Sequence, residues 1–125
     1  MFSVDEATGN IQLSVGDTAS FKITATGGYT FAEEDRALFT VKDPSGEVVL
    51  ERVYALAAED PGNGIFVVNL ANADTDSLQP GAYSWDVRYV INPYYDERGR
   101  IVSGDQVITP KAALTLTLLP VVGEV

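Results

Sequence analysis

The sequence predicts an all-β sandwich, and three observations predict it. In residues 81–91, Tyr83, Trp85, Val87, Tyr89 and Ile91 alternate with Ala82, Ser84, Asp86, Arg88 and Val90, the period-two pattern of a strand with one buried face. That strand is entered through Pro80-Gly81, with Tyr83 near its start and Trp85 two residues on. This is how the corner before the sixth strand of an immunoglobulin-like sandwich reads, where the tyrosine hydroxyl bonds back to the preceding loop. Turn signals also recur about every 8 to 15 residues with no ten-residue helical period. The expected fold is an immunoglobulin-like antiparallel β-sandwich of about seven to nine strands, with a small closed β-barrel as the alternative.

The elements follow in order. Ile11, Leu13 and Val15 line one side of a first strand, and Gly16-Asp17-Thr18 turns the chain into a second with Phe21, Ile23 and Ala25 inward, a hairpin or a sheet switch. Gly27-Gly28 and Glu33-Glu34-Asp35 make a loop before residues 36–43, where Ala37, Phe39 and Val41 alternate with Leu38, Thr40 and Lys42. Asp43-Pro44-Ser45-Gly46 has the residues of a type I turn. Residues 47–56 form a longer strand with apolar residues on both faces, so its inward face is open. Asp60-Pro61-Gly62-Asn63-Gly64 is the strongest breaker, and Phe66, Val68 and Leu70 define the inner face of the next strand. Residues 72–78 fit a short helical turn capped by Asp74. After the Tyr83 strand, residues 92–100 read as a long hairpin tip, and residues 101–108 and 111–119 complete the sheet through Leu114, Leu116 and Leu118.

At 125 residues the chain has the size of one domain, residues 1–125, and folding would bury about two thirds of its unfolded surface. It has no cysteine and no histidine. Disulfides, thiolate chemistry, the usual general base and the commonest transition-metal ligand are thereby excluded. With Lys22, Lys42 and Lys111 as the only lysines, catalytic chemistry is narrow, so no enzyme and no cofactor are expected. Eighteen acidic residues against eight scattered basic ones give a formal charge of −10, which repels a phosphate backbone and argues against nucleic acid. The acidity fits solubility at high local concentration or a basic protein partner. Residues 1–20 hold no apolar run of the roughly seven residues a signal peptide needs, and no stretch of about eighteen apolar residues spans a membrane. Synthesis in a cytoplasm from Met1 is the expectation.

The candidate sites are few. Asn72, Asp74 and Asp76 have the alternate spacing of a calcium loop, but Ser77 and Tyr83 stand where its glycine and glutamate belong, so a capped turn is expected and no metal. Asp86 and Asp105 are the carboxylates a glycosidase-like pair would draw on; strand faces favour solvated carboxylates, with Arg88 the simplest partner for Asp86. Trp85 and Tyr83 alternate with Val87 and read as core rather than as a sugar platform. The contact residues are Tyr94 and Tyr95 at the apparent hairpin tip, because adjacent tyrosines supply amphipathic area at low entropic cost. Tyr29 and Phe31 after the double glycine form a second aromatic loop of the same kind.

Several segments together resemble a known family: Gly16-Asp17-Thr18; Phe39-Thr40-Val41-Lys42 with Pro44 and Gly46; residues 64–70; Asp74, Thr75, Leu78, Gly81, Tyr83 and Trp85-Asp86-Val87; and Gly104, Val107 and Thr109-Pro110. Over residues 11–118 the chain looks like the immunoglobulin-like domains of tailed-phage tail and baseplate proteins, the N-terminal domain of upper baseplate proteins being the nearest type. The resemblance implies a virion or prophage structural role, in which the sandwich docks onto other protein subunits, including copies of itself, and no catalytic residues. The alternative from another class is a carbohydrate- or ligand-binding accessory module of a bacterial surface system.

Overall fold

The computed structural model describes residues 3–5, 8–24, 30–57 and 64–120. Eight strands and one helical turn follow in order: β1 (Ser3–Asp5), β2 (Asn10–Ser14), β3 (Ala19–Thr24), β4 (Arg36–Lys42), β5 (Val48–Ala55), β6 (Ile65–Leu70), α1 (Asn72–Thr75), β7 (Gly81–Tyr95) and β8 (Ile101–Leu119). The sequence-based expectations for Ala25, Gly27-Gly28, Tyr29 and residues 60–63 fall outside the described residues.

The strands form two sheets and no closed barrel. One has six strands in the order β1-β2-β8-β7-β4-β5, and the other pairs β3 with β6. The run β8, β7, β4, β5 is the G, F, C, C′ order of a variable-type immunoglobulin sheet, and β3 with β6 takes the place of B and E opposite it. β2 lies parallel to β8 and does not pair with β3, so the turn at Gly16-Asp17 is the sheet switch rather than a hairpin.

The core fills the space between the sheets. Ile11, Leu13, Ala37, Phe39, Val41, Tyr83, Trp85, Val87, Tyr89, Leu116 and Leu118 are buried from the large sheet, and Ala19, Phe66, Val68 and Leu70 from the small one. Aromatic rings join the layers: Phe21 meets Phe39 edge-on at 5.9 Å between centroids, and Phe39 meets Trp85 at 5.5 Å. The indole Nε1 of Trp85 donates to the Gly9 carbonyl at 3.1 Å, so burying the ring leaves no unmade hydrogen bond. The Tyr83 hydroxyl donates to the Gln79 carbonyl at 2.7 Å, closing the expected corner.

The local turns are as the residues dictate. The Asp43 carbonyl accepts from the Gly46 amide at 2.9 Å, and Gly46 takes a φ of +88° that a side chain would resist. The inward face of β5, ambiguous in sequence, is that of Leu50, Arg52, Tyr54 and Leu56; a register shift between Val41 and Lys42 sets it off from the exposed Val48. Asp74 is not the cap. Ala71 holds that position, and Asp74, three residues in, accepts the Ala71 amide at 2.8 Å while pairing with Arg52 of β5. Buried Thr75 accepts the Gly16 amide at 2.9 Å, so α1 ties the β2–β3 turn to the approach to β7.

β8 is one strand where the sequence reads as two segments. Its register against β7 slips between Trp85 and Val87 and again between Val87 and Tyr89. Two extra residues on β8 restore the parity that puts Ile108 and Leu114 on the same side. Pro110, which has no amide to donate, falls in this irregular stretch.

Three outcomes follow. Trp85→Ala should lose about 3–5 kcal/mol through transfer and cavity terms, and Tyr83→Phe about 1 kcal/mol for the corner hydrogen bond. Urea titration checks both, and a Trp85→Ala value within about 0.5 kcal/mol of the parent contradicts the packing. Tyr54 stacks on Phe66 at 5.2 Å, and burial pushes its phenol above the usual value of 10.0. Its neutral form is favoured in the folded state, so its contribution is full below pH 10 and is lost as pH rises toward the folded pKa. An alkaline absorbance titration should show a late tyrosine step that Tyr54→Phe removes; an unchanged profile contradicts the burial.

Candidate functional site

The β4 strand stops at Arg36, whose register partner on β7 is Val90. Beyond that point β7 and β8 continue alone, with Ile91 opposite Gln106, Pro93 opposite Gly104, Tyr94 opposite Ser103 and Tyr95 opposite Ile101. Residues 91–95 and 101–106 thus form a two-stranded arm. It closes on a turn in which the Asp96 amide donates to the Arg100 carbonyl at 2.9 Å and Asp96 Oδ1 accepts the amides of Arg98 and Arg100.

The arm is bent toward the outer face of the large sheet. Val90 follows inward-facing Tyr89 and so points outward, yet it is only 2% exposed. Gly104 covers it: a Cβ at position 104 would lie 2.6 Å from Val90 Cγ1 and 2.8 Å from the Ile91 carbonyl oxygen. Residues 101–103 share a cavity of about 70 Å³ with Leu38, Arg88, Val90 and Val107. A straight strand rising about 3.3 Å per residue would carry them well away from that face.

The bend lies at Asn92, whose φ is +49°. Asparagine tolerates this left-handed region better than most residues, at a cost of about 1–3 kcal/mol. Asp35 offsets it. That residue is 3% exposed, and its carboxylate accepts the Ala32 amide at 2.8 Å and the Asn92 amide at 2.9 Å. Beyond the bend, Asp105 accepts from Asn92 Nδ2 at 2.8 Å and from the Tyr94 hydroxyl, stiffening the arm across its two strands.

The arm exposes apolar surface. Tyr94 is 48% and Tyr95 52% exposed, and Val102 at 63% and Val107 at 47% lie on the facing strand. The two tyrosines stand on the last two residues of β7 rather than in the turn, which is confined to residues 96–100. Phe31 does not join them: it is 4% exposed and packs edge-on against Tyr89 at 5.5 Å. That packing takes Phe31 out of the expected second aromatic contact loop, and Tyr29, its other member, lies outside the described residues. Val102, Val107, Asp35 and Gly104 were not among the expected site residues. Their roles come from pairings across the fold, such as the 57 residues between Asp35 and Asn92.

The expected carboxylate partners also differ. Among the described residues the ion pair is Arg52 with Asp74, not Asp86 with Arg88, and Asp86 Oδ1 is buried without a hydrogen-bond partner. Asp105 is engaged by Asn92 and Tyr94 rather than by Asp86. The larger concavities are open. One of about 430 Å³ is lined by residues 18–20 and 69–71 without a titratable side chain, and one of about 310 Å³ by Asp96, Glu97, Arg98 and Arg100 at the arm's turn. Among the described residues no group of three or more acidic, histidine or cysteine side chains could hold a metal ion, and no helix is long and apolar enough to cross a membrane.

No protein-family model and no curated protein matches this chain.

Proposed function

We propose that this chain is a non-enzymatic interaction module, an immunoglobulin-like sandwich that docks the β7–β8 arm onto neighbouring protein subunits, as in the tail or baseplate of a tailed phage or prophage. The observation that carries this is the exposure of Tyr94, Tyr95 and Val102 on an arm held by a closely packed scaffold. Recognition concentrates on segments held by rigid elements, and tyrosine is enriched at interface cores. Each ring is about half exposed, so on docking it can bury about half of the roughly 150–250 Å² of a whole aromatic side chain, a useful share of the about 800 Å² per partner of a standard interface. The alternative surfaces are poorer, since the strands carrying Asp86 and Glu51 would put unpaired carboxylates into a dry contact. A formal charge of −10 favours a partner with a basic surface through faster encounter. The phage setting comes from the family resemblance of the turn and core residues, and it brings with it a virion location and the absence of any cofactor.

Replacing Tyr94→Ser and Tyr95→Ser together tests this reading. If each ring is a hot spot of about 2 kcal/mol, the double variant should lose association by at least about tenfold, with its melting temperature nearly unchanged. Sedimentation velocity reads self-association, and capture from a lysate of the source cell reads partners. Unchanged association and capture remove the arm from the functional account.

A further inference from the structure

We propose that the β7–β8 arm is a hinged flap with two positions: folded down on the outer face of the large sheet, as observed, and swung out in line with the strands. The hinge is Asn92 with Pro93 on β7 and Gly104 on β8. Three features make it a device rather than a fixed bend. The down position forces Asn92 to a φ of +49°, which an extended arm would release to ordinary strand geometry. It is latched at one point by buried Asp35, which comes from the β3–β4 connection and takes the amide of Asn92. The underside is not sealed, because the groove between residues 101–103 and the sheet is wide enough to admit water and leaves Val102 and Val107 exposed.

The segment beyond the hinge is stiff enough to move as a unit. Asp105 of β8 accepts from both Asn92 and Tyr94 of β7, so the two strands of the flap are bonded to each other by side chains as well as by the ladder. In the down position Gly104 covers Val90, and the flap shields Leu38 with it. In the swung-out position these side chains become accessible, and Tyr94 and Tyr95 point elsewhere. The flap would thereby set when the contact surface is presented. Its existence does not depend on that contact reading.

The chain has no cysteine, so two introduced thiols can be spin-labelled without background. Glu97→Cys places a label at the arm's turn, and Glu51→Cys places one on the outward face of β5; both positions are exposed. Double electron–electron resonance on the isolated protein should show one dominant short-distance population. Asp35→Ala removes the latch and should raise the long-distance population at least threefold. Asn92→Gly accepts the positive φ without strain and should narrow the distribution toward the short distance. Gly104→Ala carries the test if Asp35→Ala does not fold, because its Cβ would push against Val90 and the Ile91 carbonyl while leaving Asp35 itself in place; it too should add the long distance. A distribution identical in the parent, Gly104→Ala and Asn92→Gly overturns the proposal. Because no partner is present, a fixed arm would leave the contact reading standing, and loss of the contact reading would leave the hinge standing.

Discussion

Phe39 and Trp85 sit on adjacent strands of the large sheet, and the edge of Phe21 reaches Phe39 from the opposite layer. In disulfide-pinned immunoglobulin domains the residue two past the corner tyrosine is the second cysteine of the bridge between the sheets. Here that residue is Trp85, in a chain without cysteine, and the sheets are held together by ring contacts and buried apolar area instead. Aromatic pairs add about 0.5–1.5 kcal/mol beyond their burial, whereas a disulfide acts largely on the unfolded chain. The sandwich must therefore be stabilised by packing in the folded state. That makes the inward face of β7 its most constrained surface.

The same strand then leaves the core. Up to Tyr89 its alternate side chains are locked between the layers; past Val90 it has β8 as its one neighbour, and Asp35 and Gly104 decide its direction. A hydrogen bond to an ionised carboxylate is worth about 1.5–3 kcal/mol. This is of the same order as the left-handed strain at Asn92. In the proposed hinge, the arm's position is a close balance of these terms on a firm base.

Much of the fold was legible because its signals are local. The Tyr83–Tyr89 alternation, the corner at Pro80-Gly81 and the Asp43–Gly46 turn each depend on residues within one turn or strand. The inward side of β5 was not legible, since an edge strand carries apolar residues on both faces and a register shift against β4 displaces its start. β8 read as two segments because bulges break its period. Phe31 looked like a loop residue beside Gly27-Gly28, but Tyr89 covers it from a distant part of the chain. Of the arm, Tyr94 and Tyr95 could be found from sequence, as an exposed aromatic pair beside a turn. The bend could not, because Asp35, Asn92, Val90 and Gly104 meet only in three dimensions.

In the proposed hinge, a tightly packed sandwich carries an arm able to open without it. Native-state hydrogen exchange across a series of low urea concentrations tests it most directly. The hydrogen-bonded amides of Phe39, Val41, Trp85 and Val87 should exchange through global unfolding, with a steep urea dependence. Those of residues 94–95 and 101–106 should exchange at a lower free energy that hardly varies with urea. Arm amides that share the free energy and the urea slope of the β4–β7 ladder would contradict the account.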